Sequence, residues 1–74
     1  MDNPTKTYET GLKLFEQGDY ELASVYLEKA GDAFVACGDK DSAVKAYDKA
    51  LSCFLDLERN DLFENIRKKI NNAK

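Results

Sequence analysis

The amino-acid sequence predicts an all-α protein of four antiparallel helices folded as two stacked helical hairpins. Three observations predict it. The pair Gly-Asp recurs twenty residues apart, at Gly18-Asp19 and Gly38-Asp39. Residues 10–30 overlay residues 30–50 at the same shift, with Gly11 on Gly31, Leu14 on Phe34, Ala23 on Ala43 and Ala30 on Ala50. Between the glycine pairs, apolar residues return with a period close to 3.6, the signature of a helix with one buried face.

The first helix is expected over residues 4–17. Asn3 is a suitable N-cap, and Pro4 fits the first helical position, where a missing N–H costs nothing. Gly18 can take the left-handed conformation that closes a helix, and Asp19 can accept hydrogen bonds from the open amides of the next. The second helix follows over residues 20–37 and is closed in the same way by Gly38-Asp39.

A further Gly-Asp pair, Gly31-Asp32, stands only seven residues before Gly38. That leaves too little chain for a separate helix, so Gly31 is expected inside the second helix, at a cost of about 1 kcal/mol relative to alanine. Gly31 lies twelve residues before Ala43, as Gly11 lies twelve before Ala23. Across a hairpin turning near Gly38 those positions face one another, and the expectation is close approach of two backbones. The third helix is expected over 40–57. A turn in the segment Glu-Arg-Asn-Asp around Asn60 then leads to a fourth over 61–73, and a second twenty-residue shift places Phe54 on Phe34 and Arg59 on Asp39. The repeat weakens toward the C-terminus, as terminal units of arrays do.

The expected core follows from the helical period. The second helix offers Ala23, Tyr26, Leu27, Ala30, Ala33, Phe34 and Cys37, and the third offers Ala43, Ala46, Tyr47, Ala50, Cys53, Phe54 and Leu57. Large and small residues alternate, so aromatic rings of one helix can fill the space above alanines of the next. On the fourth helix Leu62, Phe63, Ile66 and Ile70 share a side, with Arg67, Lys68 and Lys69 largely opposite. Val25, Val35 and Leu55 fall off the stripes of their helices.

Bulk properties narrow the function. A chain of 74 residues makes a single domain, 1–74, burying about 60% of the surface its unfolded chain exposes. Apolar residues at 43% and charged residues at 34% suit a solvated globule. There is no histidine, so the commonest general base and metal ligand is missing, and no Ser/His/Asp, Cys/His or phosphate-cradling motif is present. A non-enzymatic protein without cofactor or metal is expected. Cys37 and Cys53 are too few for a disulfide scaffold and are expected reduced and at least partly buried.

The net charge of −3 is unevenly spread. Residues 1–58 carry six Lys against twelve acids, whereas residues 59–74 carry five Lys or Arg against two. An acidic chain argues against nucleic acid as a partner, and cations in the last turns of a helix complement its dipole. No apolar run reaches the roughly 20 residues of a membrane span, and the start "MDNPTK" lacks the features of a signal peptide. A cytoplasmic location is the expectation.

The segment "GDYELASVYLEKA" resembles the second helix of a tetratricopeptide repeat, with its Gly-Asp-Tyr turn, Ala23, the aromatic Tyr26 and Ala30, and Gly11 matches the small residue of that motif's first helix. The period departs from the family's 34 residues, and Val35 stands where its closing proline would be. Long helices recurring every twenty residues are more similar to the tetratricopeptide-like hairpins of soluble NSF attachment proteins. The resemblance covers residues 8–57. It implies a right-handed array of helical hairpins that acts as a scaffold or adaptor, binding a partner protein or peptide along one face. The groove positions it implies are Tyr8 and Leu12 on the first helix and Lys45, Asp48 and Ser52 on the third, which do not match the carboxylate clamp common in the family. A groove for an apolar or aromatic peptide remains.

Phe15 and Leu55 complete the candidate partner-binding set, although Leu12 and Phe15 also read as plain core. About three repeats are normally needed to bury a continuous core, and four helices fall short of that. Association through the first helix or its groove with the third is therefore expected, a symmetric homodimer being the simplest form. The rival reading is a self-associating structural unit, or an accessory subunit of a larger complex, with no separate ligand.

Overall fold

The computed structural model describes residues 3–73. Four helices follow in order: α1 (Pro4–Glu16), α2 (Tyr20–Ala36), α3 (Lys40–Leu57) and α4 (Asn60–Ala73). Each packs extensively on its neighbour in sequence, α1 on α2, α2 on α3 and α3 on α4, so the chain forms two consecutive antiparallel hairpins. The radius of gyration, 11.1 Å, is that of a close-packed chain of this length, for which about 11 Å is expected.

The boundaries are set by local chemistry. The Asn3 side chain accepts from the Thr5 amide at 3.0 Å, and Pro4 occupies the first turn. At the first connection the Gly18 amide donates to the Phe15 carbonyl and the Asp19 amide to the Leu14 carbonyl. The same pair of bonds recurs at the second connection, from Gly38 to Val35 and from Asp39 to Phe34. Both are Schellman closures, which need a left-handed residue; Gly18 and Gly38 supply it at φ 82° and 81°. Each aspartate then turns to the next helix, Asp19 accepting from the Leu22 amide and Asp39 from the Ser42 amide.

The third connection repeats this geometry without glycine. Glu58 donates to Leu55 and Arg59 to Phe54, with Glu58 itself left-handed at φ 56°. The turn thus sits at Glu58 and Arg59, inside the expected segment and twenty residues after Gly38, and α4 begins at Asn60, one residue earlier than expected.

Ala23, Leu27, Ala30, Ala43, Ala46, Ala50 and Cys53 are fully buried, joined by Tyr47, Phe54, Ile66 and Ile70. Leu62 and Phe63 are half-buried against them, so the apolar side of α4 closes the C-terminal end of the array. Burying Ile66 and Ile70 contributes about 1.5–3 kcal/mol each, which fixes α4 in place.

Three expectations change. Gly31 is helical and buried, but its empty side is filled by the ring of Tyr47 from α3, so it accommodates an aromatic ring where close backbone contact was expected. Cys37 is exposed, because it forms the C-cap of α2 beyond the stripe that faces α3. Tyr26 and Ala33 are only half-buried; they face α1 and, with Thr7 and Lys29, line a shallow cleft. Both cysteines are free. Val25, Val35 and Leu55 are exposed as expected, and Leu22 joins them.

Candidate functional site

The N-terminal halves of α1 and α3 flank the C-terminal end of α2 and enclose a cleft of about 250 Å³, lined by Thr5, Tyr8, Phe34, Asp39, Ser42 and Lys45. Its floor is aromatic. Tyr8 of α1 meets Phe34 of α2 edge-on, with centroids 6.5 Å apart and planes at 72°. Such pairs favour a fixed geometry beyond what their buried area contributes. Its rim is charged on the α3 side, where Lys45 provides an ammonium and Asp39 a carboxylate. Hydrogen bonding from Ser42, hydroxyl first and backbone amide second, holds the Asp39 carboxyl below its usual range, so it is a fixed anion at neutral pH.

Further along α1 the aromatic character continues. Phe15 packs edge-on against Tyr20, with centroids 5.3 Å apart, and Lys49 of α3 lies over the Phe15 ring at 5.2 Å. An ammonium at this distance from a ring face is attracted by its quadrupole. The α1–α3 face therefore presents half-buried Tyr8, Leu12 and Phe15 on one side and the ammonium groups of Lys45 and Lys49 on the other.

The residues expected from sequence are only partly assembled. Tyr8 and Lys45 line the cleft together. Leu12 and Phe15 are half-buried and packed against the core, so each has the core role as well as an exposed edge. Asp48, Ser52 and Leu55 do not line it. Asp48 is exposed, Ser52 is half-buried with its hydroxyl donating to the Asp48 carbonyl at 3.3 Å, and Leu55 is 62% exposed further along α3. Thr5, Phe34, Asp39 and Ser42 were not anticipated, because Phe34 reads as core and Asp39 and Ser42 read as a helix cap.

A second cleft, of about 260 Å³, runs along α2 and the start of α4, with Val25, Phe54, Leu57 and Leu62 between Glu21, Glu28 and Arg59. Beside it lies the main polar cluster of the fold. Lys69 of α4 donates to Glu28 of α2 at 2.7 Å and to both carboxylate oxygens of Asp32 at 3.1 and 3.2 Å. Tyr47 of α3 donates to Asp32 at 2.5 Å. Three helices are thereby joined through one carboxylate. Burial, and then the bond to Asp32, pushes the Tyr47 hydroxyl well above its ordinary value. For Lys69, burial alone lowers the pKa, but the bonds to Glu28 and Asp32 outweigh it and the net direction is up. The sequence places Lys69 on the polar side of α4; it lies instead at the seam with α2.

Among the described residues no cluster of three metal-ligating side chains occurs, and no helix is long and apolar enough to cross a membrane. No protein-family model matches the chain, and neither a curated protein nor a solved structure matches it significantly.

Proposed function

We propose that the chain is a protein–protein interaction module, a tetratricopeptide-like scaffold or adaptor that takes a partner protein or peptide in the cleft between α1 and α3. The aromatic floor of that cleft carries the reading. Tyr8 and Phe34 leave apolar edges open to a visiting side chain, while Lys45 and Asp39 offer one charge of each sign to its backbone or flanks. Rigid aromatic anchors with a polar rim are the arrangement from which most interface energy comes. The reading gives the protein no catalytic step and places it in the cytoplasm.

The test compares affinity captures with the wild-type chain, with Tyr8→Ala and Lys45→Glu, and with Lys29→Glu on the α1–α2 side as a control. A specific partner lost with both cleft variants and retained by the control supports the reading. Retention by all four chains, with folding intact, contradicts it.

The second reading, a self-associating or accessory subunit, draws on exposed Leu22 and Val25, which stand one turn apart on α2 at 44% and 50% exposure. Sedimentation of the wild type and of Leu22→Ser over a range of concentrations tests it, since self-association through this patch must weaken with the substitution.

A further inference from the structure

The three helix connections share one hydrogen-bonding pattern and differ in chemistry. At Gly18 and Gly38 the left-handed residue costs nothing sterically. At the third connection it is Glu58, φ 56°, whose side chain disfavours that conformation. Asp19 and Asp39 go on to cap the next helix. The corresponding residue before α4 is Arg59, whose guanidinium has no acceptor to offer. From Lys40 to Ala73 the chain contains no glycine and no proline. Nothing in the sequence therefore stops α3 and α4 from running on as one helix, and a short connection under strain is the kind of hinge that opens.

The contacts that hold α4 do not depend on the hinge. Ile66 and Ile70 enter the core and Lys69 reaches Glu28 and Asp32. An identical α4 from another molecule satisfies them equally. From this we infer that the chain exchanges α4 with a second copy of itself. The hinge at Glu58 and Arg59 straightens, α3 and α4 fuse, and each α4 docks on the α2 and α3 of the other molecule in a closed two-fold dimer.

The straightened helix also forms a new contact. Leu55 and Leu62 are seven residues apart and fall on one stripe of it. They are equidistant from the midpoint of the hinge, so a two-fold axis there sets Leu55 of one copy level with Leu62 of the other. Leu55 is the most exposed large apolar side chain described, at 62%; the exchanged dimer covers it. The inference is independent of the α1–α3 cleft.

The decisive experiment exploits the ion pair between Lys69 and Glu28. Unlabelled and 15N-labelled chains are mixed, refolded together at millimolar concentration and treated with a zero-length carbodiimide, which converts that contact into an amide. Exchange gives linked Lys69–Glu28 or Lys69–Asp32 peptides containing one labelled and one unlabelled half. Glu58→Gly relaxes the closed turn and weakens the fused helix in both copies, and is expected to raise the dimer dissociation constant roughly 10³-fold. Leu55→Ser is expected to raise it roughly tenfold or more while lowering the urea midpoint of the monomer only slightly, since serine is the poorer helix former. Linked peptides of a single isotope only, or a dimer indifferent to Glu58→Gly, would overturn the inference.

Discussion

Replacing Gly31 by alanine is expected to destabilise the protein, although alanine is the better helix former by about 1 kcal/mol. A Cβ placed on Gly31 falls 2.6 Å from Cδ1 and 2.8 Å from Cζ of Tyr47, with Cε1 closer still. The ring cannot easily retreat, since Tyr47 is 2% exposed and its hydroxyl is bonded to Asp32. Forcing a methyl group into a filled core costs about 1–3 kcal/mol, and tilting the ring endangers a bond to a carboxylate worth about 1.5–3 kcal/mol. Set against the propensity gain, the net loss is about 1–2 kcal/mol. At about 4–8 °C per kcal/mol for a domain of this size, Tm falls by roughly 4–16 °C. Thermal and urea unfolding followed by circular dichroism measure it. In a Tyr47→Ala background the same substitution should become neutral or stabilising, a coupling of at least about 1 kcal/mol. A higher Tm for Gly31→Ala in the otherwise native chain would refute the packing account.

Glu58→Gly should raise monomer stability by about 1 kcal/mol, read as an increase in the urea midpoint without a change in slope; no increase would mean that Glu58 bears little strain. Alkaline pH should weaken the fold. Tyr47 ionises near pH 10 in the unfolded chain but stays protonated in the folded one, and Cys53 is pushed up to about 11, by burial first and the Asp56 charge second. Lys69, raised by its carboxylate partners, adds to this, its contribution being full below its unfolded pKa and lost above its folded one. In all three the folded state holds more protons than the unfolded, so the urea midpoint should fall above about pH 9; a rise between about pH 9 and 11 would contradict the signs. Cys37 should react with a thiol reagent at the rate of an exposed thiol while Cys53 is protected until unfolding, and equal rates would show that Cys53 is not enclosed.

The helices were legible because their ends are decided locally. Asn3, Asp19, Asp39 and the two left-handed glycines carry chemistry that a single residue type announces. Glu58 announces nothing by its residue type, and within the segment Glu-Arg-Asn-Asp only the twenty-residue period points to it. The interior of α2 and α3 follows the 3.6 period until the helices outrun their neighbours, where Cys37 emerges into solvent. The cluster joining Lys69, Glu28, Asp32 and Tyr47 left no trace in the pattern, because its ion pairs span 37 and 41 residues of sequence. The cleft was half legible. Tyr8 and Lys45 are among the groove positions that the resemblance implies on α1 and α3, but Phe34, Asp39 and Ser42 serve the core or a cap as well, and that second role conceals the first.

The central claim, that the α1–α3 cleft is a recognition surface, is tested most directly by following backbone amide shifts of 15N-labelled protein during titration with peptides selected on the wild-type chain. The account predicts that the largest changes fall on Thr5, Tyr8, Phe34, Ser42 and Lys45, and that they vanish with Tyr8→Ala. Changes confined to the cleft beside Val25 and Leu62, or none with any selected peptide, would contradict it.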